Sequence, residues 1–321
     1  MARNAQDTTR RVSEIETWGV ELLNSTHADL LRSDIGNLEV FVSGLKTIRD
    51  EMTTIEWRSF IADVVASHPV RALLHEDPFT RRAFEKPRGY PGDAELLDLI
   101  YRDNPFTGPL SERGATIHHW TYNGSALVSV RERRERLAAW IDRIADERPS
   151  PRILSVACGH LREAQASKAV RQHRVAEFVG LDQDAETIAV VEREQREFNV
   201  APIVTSSRRL LVAPRTWGTF DFVYSAGLYD YLSEPMARGL TASMFQAVKP
   251  GGLLLIANFA PELRDIGYME AIMDWNLIYR DERAVDSLAN GIPAHEIDRR
   301  TLFRDVPGNV VYLAIHKSEH A

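Results

Sequence analysis

Short β-branched runs at Arg152–Val156, Glu177–Leu181, Pro202–Thr205, Phe220–Ser225 and Leu253–Asn258 alternate with amphipathic stretches of helical period. This βαβαβ alternation constrains the chain more than any other feature, because parallel strands joined by crossover helices need a doubly wound sheet covered on both faces. Two further runs, Thr301–Arg304 and Asn309–His316, are joined across Val306-Pro307-Gly308 and read as an antiparallel hairpin closing the sheet. The expectation is an α/β fold with a mostly parallel seven-stranded sheet.

The preceding half has a different texture. From about Thr9 to Arg148 apolar residues recur at three and four positions, as in Ile15, Trp18, Leu22 and Leu23, then Leu38, Phe41, Val42, Leu45 and Ile48. A long charged helix is expected from about Gly124 to Ala145, and Glu147-Arg-Pro-Ser-Pro151 marks the change of texture. The division expected is an all-α domain over 1–148 and an α/β domain over 149–321. The net charge of −7 argues against a nucleic-acid sleeve, and no apolar run approaches the roughly 20 residues of a membrane helix. One cysteine, Cys158, leaves no internal disulfide, and the polar start MARNAQDTTR lacks a signal core, so a cytoplasmic protein is expected.

The first strand runs into the turn Val156-Ala-Cys-Gly-His160, where Ala157 and Gly159 allow close approach of a ligand and the next helix favours a polar or anionic group. Asp182 ends the second strand 23 residues after Gly159, where a carboxylate accepts hydrogen bonds from ribose hydroxyls or caps the following helix. A dinucleotide fingerprint wants three glycines and this turn has one, which disfavours a nicotinamide site. Lys249-Pro-Gly-Gly252 reads as a structural turn.

The strand end Gly180-Leu-Asp182, the turn Lys249–Gly252 and the terminal hairpin occur in order, and together they resemble the Rossmann-like class I S-adenosylmethionine-dependent methyltransferases over Pro151–Lys317. The resemblance implies S-adenosyl-L-methionine as cofactor and S-adenosyl-L-homocysteine as product. It assigns Ala157, Cys158 and Gly159 to the methionine part, Asp182 and its neighbour Gln183 to the ribose, and Ser206 or Ser207 to the adenine. Ser155 and Leu161 depart from the pattern, where an acidic residue and a third glycine are frequent. Ser225, Ala226 and Gly227, after the fourth strand, would face the sulfonium, with Tyr229, Asp230 and Tyr231 around the transferred methyl; aromatic faces suit a sulfonium.

Three motifs narrow the resemblance. Lys86-Pro-Arg-Gly-Tyr-Pro-Gly-Asp93, Gly227-Leu-Tyr-Asp-Tyr-Leu232 and Asp274-Trp-Asn-Leu-Ile-Tyr-Arg280 look like a bacterial subgroup associated with 3-hydroxypalmitic acid methyl ester synthesis. The first motif reads as a lid or as a tight connecting turn, and adds Tyr90 to the cofactor set and Arg88 to the substrate set. The last is expected on a helix, with Trp275, Tyr279 and Arg280 over the pocket. Arg131 and Arg134 are further candidates for holding an acid.

If that resemblance holds, the reaction is methylation of a carboxylate, which needs positioning and desolvation but no base. A hydroxyl or amine acceptor would need one, and His118, His119 and Asp230 are the candidates. His118 and Tyr122 could also line the acceptor pocket. The catalytic set expected is therefore Tyr229, Asp230 and His119, with no metal ligands. A non-catalytic sensor of S-adenosylmethionine is the alternative. The partners expected are a small acidic or acyl substrate, no nucleic acid and no membrane; a homodimer is compatible with the sequence.

Overall fold

The computed structural model describes residues 2–101 and 110–321, with side chains from Arg10 onward. The chain forms two compact units: Met1–Val128 with Leu263–Asn276, and Ser129–Glu262 with Leu277–Ala321. Among the described residues no helix is long and apolar enough to cross a membrane.

The first unit is helical, running through Ala2–Leu31, Leu38–Glu51, Thr54–Phe60 and shorter helices to Glu112–Tyr122, with Ile266–Ile272 added from far along the chain. Leu23, Leu30, Phe41, Leu45, Ile48 and Phe60 are buried, as the three-and-four spacing requires. The later helix fits because Gly267 has no side chain: a Cβ there would lie 2.5 Å from the Leu45 carbonyl carbon. Its Glu270 accepts from Arg49 Nε at 2.8 Å and from Trp57 Nε1 at 2.7 Å.

The second unit holds a seven-stranded sheet of β1 (Arg152–Val156), β2 (Glu177–Asp182), β3 (Val200–Val204), β4 (Phe220–Ser225), β5 (Val248–Phe259), β6 (Ile297–Arg304) and β7 (Val310–Lys317). The strand order is β3-β2-β1-β4-β5-β7-β6. The first five strands are parallel, while β7 runs antiparallel to both β5 and β6. All six residues of β4 are buried, as expected of a strand covered on both faces. The order reverses between β1 and β4, so a ligand crevice is expected beyond their carboxyl ends.

Two local expectations are corrected. Lys249–Gly252 lies within β5 as an irregularity, since Phe220 pairs with Val248 but Phe222 pairs with Leu253. The surplus residues are absorbed with Gly251 at φ +70. Residues 274–280 form no helix, because the Ile278 and Arg280 amides donate to the Asp230 and Phe259 carbonyls instead of to their own preceding turn.

Candidate functional site

The turn after β1 alternates in hand. Ala157, Gly159 and Leu161 have φ of 56, 54 and 53, while Cys158 and His160 do not share that sign. The Cys158, Gly159 and Leu161 N–H groups donate within the protein, to the Leu181 carbonyl, the Asp182 carboxylate and the Cys158 carbonyl. Each non-glycine residue held left-handed costs roughly 1–2 kcal/mol, so Ala157 and Leu161 store strain where a ligand approaches. The helix that follows, Arg162–Ala166, has only five residues, so its macrodipole adds little to what the turn itself offers.

Asp182 is fixed from two sides. Its carboxylate accepts from the Gly159 N–H at 3.0 Å and from the Asp184 N–H at 3.0 Å. Burial raises its pKa despite these bonds. A carboxylate has about four acceptor positions, so capacity remains for ribose hydroxyls. Gln183 beside it is exposed, as is Ser206 after β3, while Ser207 is half-buried. Cys158 is buried, its Sγ 3.1 Å from where a Gly180 Cβ would stand, and burial pushes its thiol pKa well up. It is a packing residue, and its N–H donates to the Leu181 carbonyl at 3.0 Å.

At the end of β4, Ala226 and Gly227 are partly exposed, whereas the Ser225 hydroxyl is spent on the Val156 carbonyl at 2.8 Å. The single 3-10 turn Tyr229–Tyr231 then aims its side chains differently from the expectation. Tyr229 is fully buried, with its hydroxyl 2.9 Å from Thr241 Oγ1 and 3.6 Å from Met244 Sδ, so it packs the helix Glu234–Gln246 rather than a methyl group. Asp230 is buried and accepts from the Phe259 N–H at 2.7 Å, and burial raises its pKa to about 6. Tyr231 is exposed, and Tyr279 is half-buried.

Arg280 is likewise corrected from substrate fork to structural brace. Its guanidinium donates to the Tyr229 carbonyl at 2.8 Å, to Asn258 Oδ1 at 2.6 Å and to the Leu232 carbonyl at 2.5 Å. It ties the loop after β4 to the end of β5, with both Nη1 donors and one Nη2 donor spent on the protein.

Sequence reasoning named Arg131 and Arg134 and passed over Arg133 between them. Arg133 is only 6% exposed and lies 3.8 Å from where a Gly227 Cβ would stand. The signal was present: Arg133 falls at helical spacing among Val130, Leu137, Ile141 and Ile144 on the buried stripe of the helix Ser125–Glu147. Its positive charge acts on the buried carboxyl groups of Glu163 and Asp230. Arg134 instead pairs with its exposed neighbour Glu135. Glu163 was also missed; it is buried, its pKa raised by burial, and accepts from the Tyr224 hydroxyl at 2.5 Å.

The remaining expected residues belong to the first unit. Arg82 forks onto Asp93 at 3.1 and 3.0 Å, Arg88 pairs with Glu95 at 2.8 Å and Lys86 with Asp274, so ion pairs pin the 86–93 loop around half-buried Tyr90. His118 Nδ1 lies 2.7 Å from Asp77 Oδ1, and Asp77 also caps the helix Pro78–Glu85 through the Phe79 and Thr80 amides. His118 Nε2 is buried without a hydrogen-bond partner. His119 is exposed, Tyr122 half-buried, and the Trp275 ring tilts against Phe79 at 6.4 Å between centroids.

Residues 153–252 match the family model described as a methyltransferase domain. Among curated proteins no sequence matches the chain. A structure described as a possible exported protein from Bordetella parapertussis is similar in fold, with 18% identity and a TM-score of 0.61 over 83% of this chain and 99% of that one. The magnesium protoporphyrin IX methyltransferase of Synechocystis PCC 6803 has 14% identity and a TM-score of 0.48, covering 74% of this chain and 98% of its own. The N-methyltransferase NodS of Bradyrhizobium japonicum WM9 has 13% identity and a TM-score of 0.45, covering 74% of this chain and 98% of its own. The family match falls on the strand, left-handed turn and acidic strand end that the geometry singles out, and the sheet adds the antiparallel seventh strand. Residues 153–252, within the second unit, match a methyltransferase domain, and the chain is a methyltransferase.

Proposed function

We propose that the enzyme methylates the carboxylate of a small acid or acyl molecule, with a 3-hydroxy fatty acid as the sharpest form. The observation that carries this reading is Arg133, a buried guanidinium beside Gly227 at the end of β4. A planar fork of that kind matches a carboxylate bidentately.

The cofactor supplies an electrophilic methyl group on a sulfonium. Ala157–Gly159 would hold its methionine part through backbone groups, Asp182 its ribose, and Ser206 or Ser207 its adenine. Gln183 remains a proposed member of that set, and Tyr231 and Tyr279 proposed members of the substrate set. A carboxylate is already ionised at neutral pH, so the protein has only to orient and desolvate it. The state of Asp230 supports this economy: its carboxylate is engaged by the Phe259 N–H and is buried behind the turn. Tyr229, its hydroxyl turned to Thr241, offers no alternative base.

Methyl transfer from labelled S-adenosylmethionine to 3-hydroxy acids of graded chain length tests the proposal. A methyl ester releases its label as methanol in alkali; a label stable to alkali would refute carboxylate methylation.

A further inference from the structure

A cavity of about 720 Å³ lies in the second unit among the segment before β4, the end of the helix Glu234–Gln246 and the end of β7. It is remote from the cofactor residues. Arg215 and Thr216 precede the first residue of β4, whereas Ser225–Gly227 follow its last, and six strand residues span about 20 Å. Because β7 is antiparallel to β5, its terminal Lys317 also comes to the amino edge of the parallel strands.

Lys317 is one of five lysines in the chain and only 4% exposed. An ammonium has three N–H donors, and burying them unfilled is costly. Its contacts are long: the Phe245 carbonyl at 3.4 Å, the Glu296 carboxylate at 3.9 Å and the Phe245 ring at 4.9 Å. Burial lowers its pKa accordingly. Arg215 lines the same cavity, its Nε fixed on the Gln246 carbonyl at 3.0 Å. Two cations thus face one carboxylate, over an apolar floor that includes Phe245, Ala242 and Ile292.

We propose that this cavity is a second binding site, taking a small organic carboxylate whose anionic end meets Lys317 and Arg215 and whose apolar body lies on Phe245 and Ile292. The carboxylate would complete the ammonium's hydrogen bonding and balance the surplus positive charge, while about 25 cal/mol per Å² of buried apolar surface adds to binding. The site is independent of the acceptor assigned above.

Calorimetric titration of the full chain, saturated with S-adenosylhomocysteine, would use hexanoate as probe and hexanol as its neutral counterpart. The variants are Lys317→Met, which keeps the apolar volume, and Arg215→Ala on the exposed rim. The expected result is saturable hexanoate binding, weakened about tenfold or more in each variant and at least as much on replacing hexanoate by hexanol, the loss expected of a charge-assisted hydrogen bond. Undiminished affinity for S-adenosylhomocysteine in both variants would show that the fold is intact. Absence of hexanoate binding, equal binding of hexanol, or unchanged binding in Arg215→Ala would overturn the proposal; the last would place hexanoate in the acceptor site instead.

Discussion

Replacing Arg280 by methionine separates a structural brace from a substrate fork. The change keeps much of the buried apolar stem but removes the donors to the Tyr229 carbonyl, Asn258 Oδ1 and the Leu232 carbonyl. Leu232 is half-buried and its carbonyl can recover water, and the Tyr229 carbonyl keeps the Leu232 N–H, whereas buried Asn258 Oδ1 is left empty. A buried acceptor left empty costs about 1–3 kcal/mol, and the second bond lost at Tyr229 about 1 kcal/mol. Asp230 also loses a nearby cation that favours its charged form. Together these losses come to about 2–4 kcal/mol. For a unit of this size that lowers Tm by about 10 °C. Urea unfolding and calorimetry on wild type, Arg280→Met and Arg280→Lys would measure it, with lysine recovering part of the loss. A loss under about 1 kcal/mol, together with a raised KM for the acid substrate, would refute the brace and return Arg280 to the pocket.

Tyr229→Phe should cost about 1 kcal/mol of stability through the lost bond to Thr241 and leave turnover unchanged; a large fall in kcat would mean that the hydroxyl reaches the reaction. Asp182→Ala should weaken S-adenosylhomocysteine binding about tenfold to a hundredfold, read by calorimetry, and an unchanged Kd would remove the ribose assignment. Gly159→Ala, at φ 54, should destabilise by about 1–2 kcal/mol in urea, and a neutral result would contradict the left-handed turn. Asp230 has a folded pKa near 6, above its unfolded value, so the folded state binds the extra proton and this group's contribution to stability falls as pH rises from about 4 to 6. Asp230→Asn should remove that slope of up to about 1.4 kcal/mol per pH unit; an identical pH profile for wild type and variant would refute the raised pKa.

The seven-stranded sheet was legible in the sequence because it rests on local periodicity. The runs at Arg152–Val156 and Phe220–Ser225 match β1 and β4 to the residue, since a strand buried on both faces needs an unbroken apolar stretch. The turn after β1 was legible as a run of small residues, but not its alternating hand, with Ala157 and Gly159 left-handed. The direction of side chains after β4 was not legible. Tyr229, Asp230 and Tyr231 are consecutive, and a single 3-10 turn sends two into the interior and one to the surface according to what the neighbouring helix leaves open.

Motif membership likewise did not reveal that Arg280 braces two loops or that Arg133, rather than Arg131 or Arg134, lies on the buried stripe. Nor could it place Ile266–Ile272 among helices some 220 residues earlier in the chain, where Glu270 meets Arg49 and Gly267 meets Leu45. The sequence by itself determined the order of elements, the place of the turn and the acidic strand end, because each depends on a few adjacent residues. Only the tertiary structure decided which polar side chains remain available to a ligand, because that depends on whether distant carbonyls and carboxylates have already taken their hydrogen bonds.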